Sequence, residues 1–376
     1  MKEAVLQQSK KEMHLLNLWP KGHVKHFRFR YVITLIIVSP FTLGTLTHFI
    51  NVLKENLDVD LSGDISVIAV VTGLHFMLIT FVWGHKKIAY LWENLGPHEY
   101  FGKPDNFEKR CKQLNFYSRL YAYYCYLGLT VYIIMKNRGG IECRRLNVER
   151  NLTEICGLVT TFWAPFDIDF FPFRQILFVD QVFATYFIVK GGAAISFTTL
   201  EVGEYIILKI KHLKRLVKEV FDDPREEVQR KKLVFCIKYH QYIISIQELY
   251  DGRYKHCNGC YILMVGIIIA SLSNEIMKNH NIEALLHLVG WVFSFYICCF
   301  SGQSLLSESL TIPDAAFESK WYEAPVYMQK DLLLMMLRSQ KPLMLHATPI
   351  GVMSLSLFIT LVKTSYSYFT LLNQST

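Results

Sequence analysis

Cysteine and histidine are the residue types here best suited to covalent or metal chemistry, and their spacing decides what they do. Cys257-Asn258-Gly259-Cys260 has the interval of a dithiol or half a zinc site. It stands alone, with no second pair or histidine partner at the matching distance, so both thiols read as packing residues at the entrance of an apolar segment. Cys298 and Cys299 lie inside another apolar run and read as small fillers. Cys143 and Cys156 share a polar connection and can pair if it faces an oxidising compartment. The same connection holds Asn151-Leu152-Thr153, a glycosylation sequon usable only on the outer side. The sequence shows no phosphate-binding glycine loop, nucleophile elbow, metal-binding histidine pair or kinase-like set. No enzyme, cofactor or metal is expected.

Two other patterns point to binding and conduction. Near the C-terminus Thr360, Lys363, Ser367, Thr370 and Gln374 recur at intervals of three and four within an apolar run, on one helical face. Such a stripe either packs between helices of one bundle or walls an aqueous pore built by several copies. Leu371 lies beside it, where a hydrophobic ring gates by dewetting. The second pattern is aromatic: His75, Phe76 and Ile79; Cys125, Gly128 and Tyr132; Phe183 and Phe187; Phe293 and Tyr296, each set on one face. These faces suit either a packed core or a pocket for a small apolar ligand, with His75 and Tyr296 to orient it.

The elements that must position these residues are membrane spans. Of the 376 residues 52% are hydrophobic and 19% charged, and the mean hydropathy is +0.22. A span needs ~20 mostly apolar residues. Tyr31–Leu53, Ile65–Trp83, Tyr117–Met135, Phe178–Leu200, a short segment at Tyr261–Leu272 that starts nearer Tyr254, Leu285–Leu306 and Ile350–Leu372 are the candidates. Asp180, Lys190 and the glycines around Gly191 interrupt the fourth. A polar stretch precedes the first span, so no cleaved leader is expected. Lysine and arginine concentrate in the N-terminal tail and the even-numbered connections, which places the N-terminus in the cytoplasm and the C-terminus outside. That orientation is opposite to a G-protein-coupled receptor's. The net charge of +8 suits cytoplasmic loops facing anionic lipid, and no nucleic-acid partner is expected.

The expected division is a cytoplasmic segment at 1–30, a four-span bundle at 31–200 with an outer loop at 136–174, cytoplasmic helical stems at 201–255, two spans at 256–306, a cytoplasmic anchor helix at 307–349 and a last span at 350–376. In the stems Ile210, Leu213, Val217 and Val220 form one apolar face. After Asp222-Asp223-Pro224 a second stripe has Leu233, Ile237, His240 and Ile244. Such faces must be buried, either in a hairpin that extends spans four and five into the cytoplasm, the favoured reading, or in helices lying flat on the bilayer. The anchor helix is expected over Tyr327–Leu345, with Leu332, Leu333, Met336 and Leu337 at helical spacing and a bend at Pro342.

The C-terminal residues carry a recognisable pattern: Arg338-Ser339-Gln340-Lys341-Pro342-Leu343, Ser354-Leu355-Ser356-Leu357-Phe358 and Lys363-Thr364-Ser365-Tyr366-Ser367-Tyr368-Phe369-Thr370-Leu371-Leu372. With Trp163-Ala164-Pro165-Phe166-Asp167 and Ser319-Lys320-Trp321-Tyr322, the chain resembles insect odorant receptors nearly throughout. The resemblance implies an all-α fold of seven spans with inverted topology in the plasma membrane of a sensory-neuron dendrite. It also implies an odorant-gated, non-selective cation channel, a tetramer in which a divergent odorant-binding subunit joins a shared co-receptor. The connection between spans four and five and the last turn resemble a tuning subunit. The family's pore lies along the last span, with an aliphatic constriction two positions after a Tyr-Phe pair. Tyr368-Phe369 gives that role to Leu371, and Gln374 matches a polar pore position one turn on. The family's odorant pocket lies among spans two, three, four and six. Cys125, Gly128 and Tyr132 match its third-span pattern, Phe293 and Tyr296 its sixth, and His75, Phe76, Ile79, Phe183 and Phe187 follow by position. The aromatic lining leans towards small aromatic volatiles. A metabotropic seven-helix chemoreceptor and a related gustatory receptor channel are the other readings.

Overall fold

A computed structural model describes residues 5–20, 27–55, 61–97, 99–150, 154–166, 168–279 and 282–374. Apolar residues dominate its long helices, and the chain runs through α1 (Gln7–Leu15), α2 (Phe27–Glu55), α3 (Ser62–Asn94), α4 (Phe107–Arg138), α5 (Gly140–Arg150), α6 (Phe173–Lys218), α7 (Glu226–Asn279) and α8 (Ile282–Leu310). The short α9 (Ile312–Phe317), α10 (Val326–Ser339), the strands β1 (His346–Ala347) and β2 (Gly351–Val352) and finally α11 (Leu355–Gln374) follow. Among the described residues five helices, α2, α3, α6, α7 and α8, are long and apolar enough to cross a membrane. The tyrosine-rich α4, more polar in sequence than these five, occupies the third expected span, and the striped α11 occupies the seventh. Ile33, Ile36, Ile37 and Leu43 on α2 are exposed, a surface that suits hydrocarbon rather than water.

The fourth expected span is continuous despite its charges and glycines. Lys190 reaches Glu12 of α1 at 2.8 Å and lies over the Tyr126 ring, so its charge is paired rather than stranded. Ser9 of α1 donates to Glu201 at 2.5 Å and exchanges a hydrogen bond with Ser118 at 3.0 Å. The first helix is thereby docked onto α4 and α6, a position the sequence pattern did not indicate.

The hairpin of stems is present as α6 running past the span to Lys218 and α7 returning from Glu226. Ile210, Leu213, Val217 and Val220 are all buried in it. On α7 the buried face is Leu233, Cys236, Tyr239, Ile243 and Ile246 with His240 at its edge; Ile237 and Ile244 are only half-buried. The expected stripe was thus rotated by part of a turn. Tyr250 donates to the Thr199 carbonyl at 2.6 Å, tying the returning stem to the inner end of the fourth span.

The anchor helix is shorter than expected. α10 ends at Ser339, before Pro342, because the chain turns there into the β1–β2 hairpin, with Ala347 paired to Gly351. α10 buries Met328, Leu332 and Met335 against the stems, where Tyr327 donates to Glu226 at 2.7 Å and Arg230 pairs with Asp331. Leu333, Leu334 and Leu337 face outward. The hairpin packs against α7 at Gly259, where a Cβ would lie 1.9 Å from the Thr348 carbonyl oxygen. The Cys257-Asn258-Gly259-Cys260 run therefore serves close backbone approach: Cys257 is buried, and Asn258 donates to the His346 carbonyl at 3.3 Å.

Candidate ligand-binding cavity

At the end of the bundle away from the stems, a cavity of about 340 Å³ lies among α3, α4, α6, α7 and α8. Its walls are mostly apolar: Val67, Val70, Val71 and Leu74 from α3, Ile188 and Val189 from α6. On α4 the lining includes Cys125, Gly128 and Tyr132, the set picked out by its spacing. A Cβ at Gly128 would meet nothing within 4 Å, so this glycine contributes open space rather than close packing.

The other aromatic sets lie elsewhere. Phe76, Ile79, Phe183, Phe293 and Tyr296 are exposed, and none lines the cavity. His75 bonds through Nδ1 to the Val71 carbonyl of its own helix at 2.7 Å. Phe187 is buried against Tyr31 and Phe183. On α8 the cavity face is Leu286, His287, Gly290, Trp291 and Ser294, and Tyr296 turns instead to Phe358 of α11, ring centroids 5.6 Å apart. A periodic aromatic face marks contact with lipid as readily as contact with a pocket, and the faces that spacing picks out on α3 and α8 are not the ones that line this cavity.

Spacing did hold a signal for the residues passed over. Tyr121 is one turn before Cys125, and Gly290, Trp291 and Ser294 repeat at three and four, a stripe that mixes small and polar residues with one large ring. Tyr261 of α7 had no such marker. Tyr121 donates to Ser294 Oγ at 2.8 Å and Tyr261 donates to the same oxygen at 2.7 Å, joining three helices. Trp291 Nε1 donates to His287 Nε2 at 2.8 Å.

Beside the cavity lies a second, more polar one of about 430 Å³, which shares Val67, Tyr132, Thr160 and His287 with the first. Its wall contains the Cys143–Cys156 disulfide. Asp64 accepts from Thr161 at 2.5 Å and meets His48 Nδ1 at 2.6 Å, while His48 Nε2 lies 3.4 Å from Glu154. The segment between the cavities is held by Gln181, fully buried on α6, whose Oε1 accepts from the backbone N–H of Val159 at 2.8 Å and of Thr160 at 3.1 Å. The next residues reach α2, where Thr47 donates to the Trp163 carbonyl at 3.0 Å. Asn151, the sequon asparagine, lies outside the described residues.

On α11, Thr360, Lys363 and Ser367 are exposed on the surface of the protomer. Thr360 donates to the Ser356 carbonyl at 2.9 Å and Ser367 to that of Lys363 at 3.0 Å, satisfying each hydroxyl within the helix. The helix continues to Gln374; the side chains of Thr370, Leu371 and Gln374 lie outside the described residues.

The family model described as 7tm Odorant receptor matches residues 59–366. Odorant receptor 49a of Drosophila melanogaster is 24% identical over 194 residues, covering 50% of this chain and 49% of the relative. Odorant receptor Or2 of Anopheles gambiae is 28% identical over 146 residues, covering 37% and 38%. The matched stretches thus span about half or less of these curated relatives. Among solved structures, the insect olfactory receptor OR5 from Machilis hrabei in complex with eugenol superposes with a TM-score of 0.78 at 15% identity, covering 100% of both chains. The same receptor in a second structure gives a TM-score of 0.80 at 15% identity over 99% and 98%. At that identity the likeness is one of fold. The matched residues run from before α3 into α11, and the chain belongs to the 7tm odorant receptor family.

Proposed function

We propose that the chain is the odorant-binding subunit of an odorant-gated, non-selective cation channel, assembled as a tetramer with a shared co-receptor subunit in the plasma membrane of a sensory-neuron dendrite. The observation that carries the channel reading is the exposed face of Thr360, Lys363 and Ser367. Polar groups on the outside of a membrane bundle are costly against lipid, and copies arranged around an axis give them water. Leu371 then forms the constriction and Gln374 a polar ring beyond it.

The cavity supports the binding role. Its apolar walls hold a small volatile by burial worth ~25 cal/mol per Å² of apolar surface, enough for micromolar-range affinity without any charge. The named neighbour OR5, solved with eugenol, is a receptor of the same fold. A disulfide at the end opposite the stems supports a loop end facing the oxidising exterior and stems in the cytoplasm, as the distribution of basic residues does. Leu333, Leu334 and Leu337 on α10 then offer an apolar patch for neighbouring subunits below the membrane.

Co-expression with the co-receptor and recording of volatile-evoked current tests the whole reading. Current evoked through the pair and absent from the co-receptor alone is the expected result. Silence across a broad volatile panel, with the chain present at the cell surface, overturns it.

A further inference from the structure

We propose that the cavity selects small apolar molecules bearing a carbonyl oxygen, which its own unspent hydroxyl protons hold. The proposal rests on the cavity being the ligand site. Two separate features of the wall carry it.

The first is Thr185 on α6, 7% exposed, whose Oγ1 is buried and has no hydrogen-bond partner among the described residues. A threonine inside a helix ordinarily donates to the carbonyl four residues earlier, as Thr45 does to Phe41 and Thr130 does to Tyr126 in this chain. Thr185 makes no such bond and lines the cavity. A buried hydroxyl left unsatisfied is destabilising, and a ligand acceptor within its reach removes that penalty.

The second is a proton count. Tyr121, Ser294 and Tyr261 all line the cavity and are joined by two hydrogen bonds. Three hydroxyls carry three protons, so one proton is left over whichever way the two bonds run. The nearby Cys125 thiol beside Tyr121 is a weak acceptor and a poor resting place for it. The indole N–H of Trp291 is already committed to His287.

Both features offer donors, so the matching ligand group is an acceptor. A carbonyl oxygen has two lone pairs and carries no proton of its own, which fits a wall with hydrogen to spare. A hydrocarbon of the same shape fills the space but leaves these hydroxyls buried and unanswered, and a site built to bond an oxygen discriminates against the analogue lacking it.

The test is a panel of volatiles arranged as shape-matched pairs, propiophenone with propylbenzene and 2-heptanone with heptane among them, recorded as concentration–response curves in cells that also express the co-receptor. The expected result is that ketones are the more potent members by about tenfold, the yield of one net buried hydrogen bond. Thr185→Val, which keeps the shape of the side chain, is expected to lower the ketone-to-hydrocarbon potency ratio at least about threefold. Combining it with Tyr121→Phe, Ser294→Ala and Tyr261→Phe is expected to bring the ratio to about one. Equal potency of both members of each pair in the unmodified chain overturns the proposal and leaves the receptor reading standing. So does a ratio unchanged in Thr185→Val, which decides alone if the fourfold variant does not reach the surface. Silence to every pair across the panel overturns the receptor reading itself, and this proposal with it.

Discussion

The ring of Phe295 on α8, fully buried, meets that of Phe358 on α11 with centroids 5.4 Å apart. Phe295 also meets Tyr261, with centroids 6.5 Å apart, and Tyr261 lines the cavity. Three rings therefore connect the candidate ligand site to the helix that carries the polar stripe. Phe358→Leu keeps the site apolar and removes the ring contact. Ligand binding to the purified assembly is expected to stay within about twofold while evoked current falls about fivefold, the scale of a modest coupling energy. Equal loss in binding and in current would place the defect in the cavity instead.

Glu12 and Lys190 form a pair that is nearly buried on both sides. Removing one partner of such a pair leaves the other uncompensated, at a cost of about 3–5 kcal/mol. Glu12→Gln and Lys190→Met are each expected to lower thermal stability in detergent sharply, and the double variant to recover most of the loss. Additive losses in the cycle would mean that the two charges do not depend on each other.

Gln181 anchors the segment between the two cavities through two accepted backbone hydrogen bonds and one donated to the Thr160 carbonyl at 3.3 Å. Gln181→Leu leaves those groups without partners in a buried setting, at about 1–3 kcal/mol for each. Faster hydrogen exchange confined to residues 158–161 is the expected result. An unchanged exchange pattern would show that the loop is held by its contacts with Asp64 and α2 alone.

His240 lies in the stems, outside the membrane-spanning segments, buried beside Arg338 and within 3.5 Å of the Ser339 hydroxyl. Burial, with the Arg338 charge adding to it, pushes its imidazole down to about 4. A histidine held neutral in this way contributes stability that is intact above pH 6.5, its ordinary value, and is lost as the pH falls towards 4, because the unfolded chain takes up the proton first. The contribution is on the order of 3 kcal/mol. Melting curves between pH 7 and pH 4 are expected to show a decline that His240→Gln flattens; parallel curves for the two proteins would refute it.

The helices and the stems could be read from periodicity because water lies on one side of them. Ile210, Leu213, Val217 and Val220 stand out from the lysines around them, and all four are buried. Within the spans that contrast is missing. Phe293 and Tyr296 are as apolar and as regularly spaced as a pocket face, and they are exposed away from the cavity, whereas Ser294 between them lines it. On α4, Cys125, Gly128 and Tyr132 were legible as lining because a small residue and a glycine break the aromatic pattern there. The docking of α1 and the β1–β2 hairpin left no trace in hydropathy. Both depend on pairings between residues far apart in the chain, Glu12 with Lys190 and Ser9 with Glu201 for the first, Gly259 with the Thr348 backbone and Asn258 with His346 for the second.

Lys190 leaves the ribosome long after Glu12 does. The acid must therefore wait, hydrated, while the helices that will enclose it are threaded into lipid one by one, and it can settle only when the base has arrived. Seating of the first helix is thus a late event in assembly, and a bundle whose α6 is misplaced would announce itself by an N-terminal segment that never leaves water.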